Sequence, residues 1–257
     1  MATYFASDFH LGVAARHESR EREDRIVAWL NDCLRRDAEA FYLVGDLFEF
    51  WFEWRHAVPR GYVRFLGKLA EITDAGLPLH IFTGNHDLWM RDYLATEIGA
   101  IIHHQPLVTE AHGYRLLIGH GDGLGPGDHG YKRLKRLIGA RWAHWAYSRL
   151  HPNLSVGLAN WFSGKSRQTQ PPARLSWHGA EREWLAQYAE RRLARDPALD
   201  YCIFGHRHLP IDLTLSNGRS HYVNLGEWLH HYTYARLDEG GLELCSLEPG
   251  FVPANLA

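Results

Sequence analysis

Five separate stretches of the 257-residue sequence place metal-binding side chains directly after an apolar run. These stretches are Asp8-Phe9-His10, Gly45-Asp46, Gly84-Asn85-His86-Asp87, Gly119-His120 and Gly205-His206-Arg207-His208. Mixed carboxylate, amide and imidazole groups suit Mn²⁺, Fe²⁺ or Zn²⁺ better than a calcium cage. The chain also has 18 histidines, roughly twice the average for its size, which further favours a metal site.

Such a set of residues fits a centre with two ions. Two divalent ions about 3.5 to 4 Å apart can activate water and clamp phosphoryl oxygens during an in-line displacement. Their mutual repulsion requires a bridging carboxylate, and Asp46, which interrupts the apolar run FYLVGDLFEFW, is the candidate. Taken alone, Asp8-Phe9-His10 also fits a capped turn, and Gly205 to His208 a surface turn. The ordered set, with each member at the end of an apolar run, favours the metal centre.

The apolar pattern predicts the strands that carry these residues. TYFASD, AFYLVGD and LHIFTGNHD alternate with two helices, whose apolar stripes run over 26–34 and 62–72. Later strands are predicted at YRLLIGHGD, YCIFGH, HYVNLG, YTYARLD and LELCSLE. In an open α/β sheet the carboxyl ends of neighbouring strands meet in one crevice, so distant residues can share a site. The glycines before Asp46, Asn85, His120 and His206 are expected to let the backbone turn sharply and approach the ions.

A segment from about residue 124 to residue 170 lacks strand signals and is basic and Trp-rich. We predict a helical insertion over the sheet edge, with 164–172 (GKSRQTQPP) as a flexible linker. Apolar residues recur there at helical spacing: Leu134, Leu137, Ile138, Trp142 and Trp145. This stripe either packs on the core or covers acyl chains and rests on an anionic membrane. The sequence likewise leaves open whether the aromatic residues Trp51, Phe52 and Trp54 belong to the core or line a ligand-binding site.

The composition narrows the class of protein. The 28 Lys and Arg residues against 30 Asp and Glu residues give a net charge of -2, so no overall field favours nucleic acid. The cysteines Cys33, Cys202 and Cys245 form no CxxC pair and indicate a reduced, cytoplasmic protein. We find no export signal and no apolar run that could span a membrane. A single domain over 1–257, neither exported nor membrane-spanning, is expected.

The ordered motifs DxH, GD, GNHD, GH and GHxH resemble the calcineurin-like metallophosphoesterase superfamily from Asp8 to His208. The resemblance implies an α/β fold, a four-layer αββα sandwich. It implies one ion on Asp8, His10, Asp46 and His208, and a second on Asp46, Asn85, His120 and His206. It also implies that His86 contacts the phosphoryl group and that Asp87 supports His86.

A narrower resemblance lies in GDLFEFW and HGDGLGPGDHGYKRLKR, which are similar to segments of the UDP-2,3-diacylglucosamine pyrophosphatases of lipid A synthesis. It implies hydrolysis of a nucleotide-linked glycolipid to UMP and an acylated sugar phosphate, usually with Mn²⁺, and peripheral contact with the cytoplasmic face of the inner membrane. The implied substrate contacts are Asn85, His86, Asp128, Tyr131 and Lys165. The best-known proteobacterial members have arginine at the position of His86.

Two other functions remain open from the sequence. A metallophosphoesterase with another substrate, such as a soluble dinucleotide or a phosphoprotein, would turn over without lipid. A non-catalytic scaffold would keep the fold and lose the chemistry, and the intact ligand set with His86 argues against it. Oligomeric state has no signature in the sequence.

Overall fold

A computed structural model describes residues 1–13, 16–127, 129–159 and 176–256. Strands from both halves of the chain build its centre. They are β1 (Ala2–Ala6), β2 (Ala38–Val44), β3 (Leu79–Phe82), β4 (Ile101–His103), β5 (Leu107–Ala111), β6 (Tyr114–Gly119), β7 (Tyr201–Phe204), β8 (Pro210–Thr214), β9 (His221–Leu225), β10 (Thr233–Asp238) and β11 (Gly241–Ser246).

Helices follow several of these strands and flank the sheets. They are α1 (Arg16–Arg36), α2 (Val63–Asp74), α3 (Tyr93–Ile98), α4 (His129–Ile138), α5 (Arg141–Tyr147) and α6 (Trp184–Leu193), with a 3₁₀ helix at Ala180–Arg182. Residues 152–159 are also helical. The helices predicted over 26–34 and 62–72 are thus α1 and α2.

The strands form two sheets. One has the order β11-β10-β1-β2-β3-β4, and the other has the order β5-β6-β7-β9-β8. Strands β1 to β4 run parallel, as do β6, β7 and β9, whereas β10 pairs with β1 in the antiparallel sense. The carboxyl ends of the parallel strands therefore lie along one edge of each sheet, which is where the metal-binding motifs begin.

Alternating side chains along the strands divide the interior into three apolar clusters. On β1, Tyr4 faces α1 and α2, while Phe5 faces the other sheet. On the second sheet, Leu116 faces the first sheet and Leu117 packs with α6. A strand whose two faces are both apolar needs a covering layer on each side. The layers are helix, sheet, sheet, helix, as predicted.

The sequence analysis missed several short elements: β4, β5, β8, α3 and α6. Strand β4 has three residues at the edge of its sheet, and β8 begins at Pro210 on the edge of the other. Edge position is where a sheet tolerates proline. Helix α6 buries two alanines between Leu185 and Leu193, so its apolar stripe is weak in the sequence.

Four of the five residues of the predicted apolar stripe of the insertion do not pack on the core, whereas Ile138 is partly buried. Leu134, Leu137, Trp142 and Trp145 are all at least half exposed on α4 and α5. Elsewhere, Trp51 and Phe52 are fully buried, which agrees with the core interpretation. Over the residues that the structure describes, no helix combines the length and the apolar character needed to cross a bilayer.

Candidate metal centre

The carboxyl ends of β1, β2 and β7 bring four predicted ligands together. Potential ligand atoms of Asp8, His10, Asp46 and His208 all lie within 4.8 Å of one another. His208 Nε2 is 3.0 Å from Asp8 Oδ1 and 3.1 Å from His10 Nε2. These are the residues that the family resemblance assigns to one ion.

A second group lies at the ends of β2, β6 and β7. Potential ligand atoms of Asp46, His120 and His206 also lie within 4.8 Å of one another. Asp46 Oδ2 is 3.2 Å from His120 Nε2 and 3.9 Å from His10 Nε2. One carboxylate oxygen thus faces both groups, which is the arrangement that a bridging ligand requires.

Unpaired polar atoms show that the site suits metal ions. Six buried side-chain nitrogen or oxygen atoms of the described residues form no hydrogen bond, and three belong to predicted ligands: Asp8 Oδ1, Asn85 Oδ1 and His120 Nε2. Asp8 Oδ1 and His120 Nε2 have only ion-pair neighbours, among them His208 Nε2 and Asp46 Oδ2 respectively. A buried polar atom without a partner destabilises a fold by about 1 to 3 kcal/mol. Each of the three can donate a lone pair, so the donor set fits two divalent cations.

The backbone at the ligands is strained. Asp8, His10, Asp46, His206 and His208 all have positive φ, between 44° and 68°. Non-glycine residues visit this left-handed region rarely, although Asp and His tolerate it better than most. Strain of about 1 to 3 kcal/mol per residue persists only where the surroundings enforce it, and it concentrates at functional sites. Here it turns consecutive side chains toward one point.

Two glycines before the ligands have separate structural reasons. Gly45 has φ of 86°, and a Cβ there would lie 2.6 Å from His120 Nδ1. Gly84 has an ordinary φ, but a Cβ there would collide with the Asp46 carboxylate. The expected sharp turn therefore occurs at Gly45, whereas Gly84 permits close approach of two loops.

Buried charges of opposite sign set the electrostatics. Burial alone would raise the pKa of Asp8 and of Asp46, but the surrounding imidazoles outweigh it and hold both pKa values well below the usual range. Burial alone would lower the pKa of His10 and of His120, but the neighbouring carboxylates outweigh it and raise both to about 10. Burial and nearby His120 lower the pKa of His206 to about 4. Without ions, the cluster holds protons that a metal must displace.

Glu49 is a site residue that the sequence analysis missed. It is buried, and its Oε2 lies 3.0 Å from His10 Nδ1, which directs His10 Nε2 toward Asp8 and Asp46. A carboxylate on the far nitrogen of a metal-binding imidazole fixes its orientation and strengthens it as a ligand. A carboxylate inside a buried aromatic run needs an ionic or hydrogen-bonding partner, so the position of Glu49 in that run was the sequence signal for its role.

His86 also lies beside Glu49. Its Nδ1 is 3.0 Å from the Glu49 backbone oxygen and 3.6 Å from Glu49 Oε1, and its ring meets His10 edge to face. Asp87, by contrast, accepts the backbone N–H groups of Gly84 and Leu47 at 2.6 and 2.8 Å. Asp87 therefore joins the two loops that carry Asp46 and His86, and the Glu49 carboxylate lies next to the His86 imidazole.

Of the implied substrate contacts beyond the metal centre, the structure describes Tyr131. Its hydroxyl donates to Asp122 Oδ2 at 2.8 Å, close to His120 in sequence. Asp128 and Lys165 lie outside the described residues. The linker predicted at 164–172 lies outside them as well.

Comparison with known proteins agrees with this geometry. The family model for calcineurin-like phosphoesterases matches residues 1–210. The chain is 38% identical to a UDP-2,3-diacylglucosamine hydrolase of Porphyromonas gingivalis, over 95% of this chain and 97% of that protein. Proteins of the same name from Aeromonas salmonicida and Shewanella halifaxensis are 28% and 27% identical, over 96% and 97% of this chain and 90% and 100% of theirs. The chain belongs to the calcineurin-like phosphoesterase family.

Proposed function

We propose that this protein hydrolyses the diphosphate of UDP-2,3-diacylglucosamine to UMP and 2,3-diacylglucosamine 1-phosphate, a step of lipid A biosynthesis. The observation that carries the proposal is the match to a hydrolase of that name over nearly the whole of both chains. A match of this extent includes the strand ends with the metal ligands and also the insertion between β6 and β7. A family model limited to the common fold would not separate this substrate from other phosphoesters.

The reaction depends on the donor set at the strand ends. Two divalent ions held there would supply Lewis acidity and an activated water for in-line displacement at phosphorus. Asp8, His10, Asp46 and His208 would hold one, and Asp46, Asn85, His120 and His206 the other. Imidazole and carboxylate donors together favour Mn²⁺, with Fe²⁺ or Zn²⁺ as other candidates.

In this proposal His86 contacts the phosphoryl group of the substrate. Its backbone N–H donates to Asp46 Oδ1 at 2.8 Å, so it is fixed next to the bridging carboxylate. Because the Glu49 carbonyl oxygen can only accept, His86 Nδ1 carries the proton of that hydrogen bond. A protonated imidazole beside the bound substrate can donate to a phosphoryl oxygen or to the leaving group.

The insertion suits the lipid half of this substrate. Helices α4 and α5 expose large apolar side chains, among them Leu137 and Trp145, although the apolar side chains of the core are themselves buried. Exposed apolar residues on a basic helix favour acyl chains and an anionic membrane surface. We propose that this segment covers the acyl chains and contacts the cytoplasmic face of the inner membrane, with Tyr131, Asp128 and Lys165 on the sugar phosphate.

Extraction of lipids retained by the purified protein tests the substrate class. Mass spectrometry should find a diacylated glucosamine phosphate in an organic extract, and turnover of the UDP-linked lipid in detergent should exceed that of a soluble UDP-sugar. Efficient turnover of soluble nucleotides, without retained lipid, would instead favour the alternative phosphoesterase. A protein that binds both ions and turns over neither would be the scaffold.

A further inference from the structure

Helix α4 is attached to the metal centre at both of its ends. Tyr131 in its first turn and Lys135 in its last turn both contact Asp122, on the loop that carries His120. At its end, the backbone oxygen of Ile138 accepts the indole N–H of Trp89, from the loop that carries His86, at 3.0 Å. The helix therefore links the two ligand loops.

Asp122 forms the first of these attachments. The residue is 4% exposed, and its Oδ2 accepts both the Tyr131 hydroxyl at 2.8 Å and the Lys135 ammonium at 2.6 Å. Lys135 Nζ also lies 3.5 Å from the Asp122 backbone oxygen. A buried carboxylate that gathers two polar side chains from the same helix fixes both of them in position.

The Lys135 side chain shares a small cavity with one of the predicted ligands. It lines a cavity of about 50 Å³ together with the predicted ligand His120 and with Thr83, which precedes Gly84 and Asn85. An ammonium has three N–H donors, and Asp122 occupies two of them at most. At least one donor is left for an anion bound between this helix and the ions.

We propose that Lys135 is a phosphate-binding residue of the substrate site and that Asp122 positions its ammonium group. The identity of the bound group as the phosphate next to the glucosamine rests on the proposed function. The claim that Lys135 binds a phosphate group is independent of the proposed function, because inorganic phosphate presents the same oxygens.

The same helix offers a matched control. Arg136 follows Lys135 directly, is exposed, and makes no hydrogen bond or ion pair with any residue that the structure describes. Lys135→Met and Arg136→Met remove the same charge from the same helix. A long-range field effect would appear in both variants, whereas a direct contact would appear only in Lys135→Met.

Calorimetric titration of the Mn²⁺-loaded protein with inorganic phosphate tests the contact. Lys135→Met should weaken phosphate binding about 10- to 100-fold, as expected for loss of one charge-assisted hydrogen bond, and Arg136→Met should bind phosphate within about twofold of wild type. Lys135→Arg, which keeps a cationic donor, should recover most of the loss. Equal weakening in the two Met variants, or none in Lys135→Met at unchanged metal content, would overturn the proposal.

The positioning role of Asp122 is tested by combining substitutions. If Asp122 acts on phosphate through Lys135, Asp122→Asn should weaken phosphate binding in the wild-type background and add little in the Lys135→Met background. Additive losses would show that Asp122 acts by another route.

Turnover separates this inference from the proposed function. With UDP-2,3-diacylglucosamine, Lys135→Met should raise KM or lower kcat in parallel with its phosphate loss. A wild-type protein that binds phosphate through Lys135 but does not cleave this lipid would reject the proposed function alone. A wild-type protein that cleaves it, with phosphate binding unaffected in Lys135→Met, would reject the role of Lys135 alone.

Discussion

Glu49 should control how tightly the first ion is held, although it is not itself a predicted ligand. In the structure its Oε2 lies 3.0 Å from His10 Nδ1, and the pair is almost completely buried, so water hardly screens it. Glu49→Gln keeps a hydrogen-bonding group of the same shape and removes the charge. Glu49→Ala removes the hydrogen bond as well and leaves His10 Nδ1 without this partner.

The expected magnitudes follow from the strength of that hydrogen bond. A neutral buried hydrogen bond contributes about 1 kcal/mol and a charge-assisted one about 1.5 to 3 kcal/mol. Glu49→Gln should therefore weaken Mn²⁺ binding about 2- to 30-fold, and Glu49→Ala about 10- to 150-fold. Loss of Glu49 also weakens proton binding at His10, which helps the metal. The net effect is still a loss, because a carboxylate attracts a dication more strongly than a proton at a similar place.

Metal titration with elemental analysis measures this effect directly. Glu39→Gln is a matched control, since Glu39 Oε1 contacts His112 Nε2 at 2.7 Å in a partly exposed pair at the opposite end of β2. That variant should bind Mn²⁺ as the wild type does. If Glu49→Ala binds both ions with wild-type affinity and keeps its fold, the proposed support of His10 by Glu49 is refuted.

Three further predictions concern the metal centre and the neighbouring His86. Asp46→Ala should lose both ions, whereas Asp8→Ala should lose mainly one, because Asp46 faces both groups of ligands. Elemental analysis of the two variants measures this difference, and near-normal metal content in Asp46→Ala would show that Asp46 is not the bridging ligand. Mn²⁺ affinity should rise from pH 6 to pH 8, because the pKa values of His10 and His120 are raised to about 10 and the metal must displace their protons. The expected rise is up to about tenfold per pH unit for each displaced proton, and a pH-independent affinity without proton release would contradict this. His86→Ala should retain both ions and lose about 10²- to 10⁴-fold in kcat, while His86→Arg keeps part of the activity as a fixed cation; an arginine variant as inactive as the alanine variant would deny a charge-stabilising role.

The clustering of the proposed ligands could be predicted because the position of each one is encoded locally. A strand is recognisable from its apolar run, and the residue that follows it must emerge at the sheet edge. Asp8 and His208 are 200 positions apart, but each is fixed by its own strand end, and the fold brings the ends together. The alternation of strands and helices in the sequence was sufficient to predict that these strand ends meet.

Other features depend on contacts that no local pattern contains. Glu49 acquires its role only when β1 places His10 beside it, and Asp87 only when its loop meets Leu47. Both are carboxylates whose function depends on which loop folds against them. The short edge strands β4 and β8 were missed for a similar reason, because their pairing partners, rather than their own sequences, define them as strands.

The most direct test of the central claim is quantification of the products formed from UDP-2,3-diacylglucosamine. The Mn²⁺-loaded protein, in detergent micelles, should release UMP and 2,3-diacylglucosamine 1-phosphate in equal amounts, and chelator or Asp46→Ala should abolish both. Absence of UMP from a preparation that holds both ions and still hydrolyses bis(p-nitrophenyl) phosphate would contradict the proposed substrate.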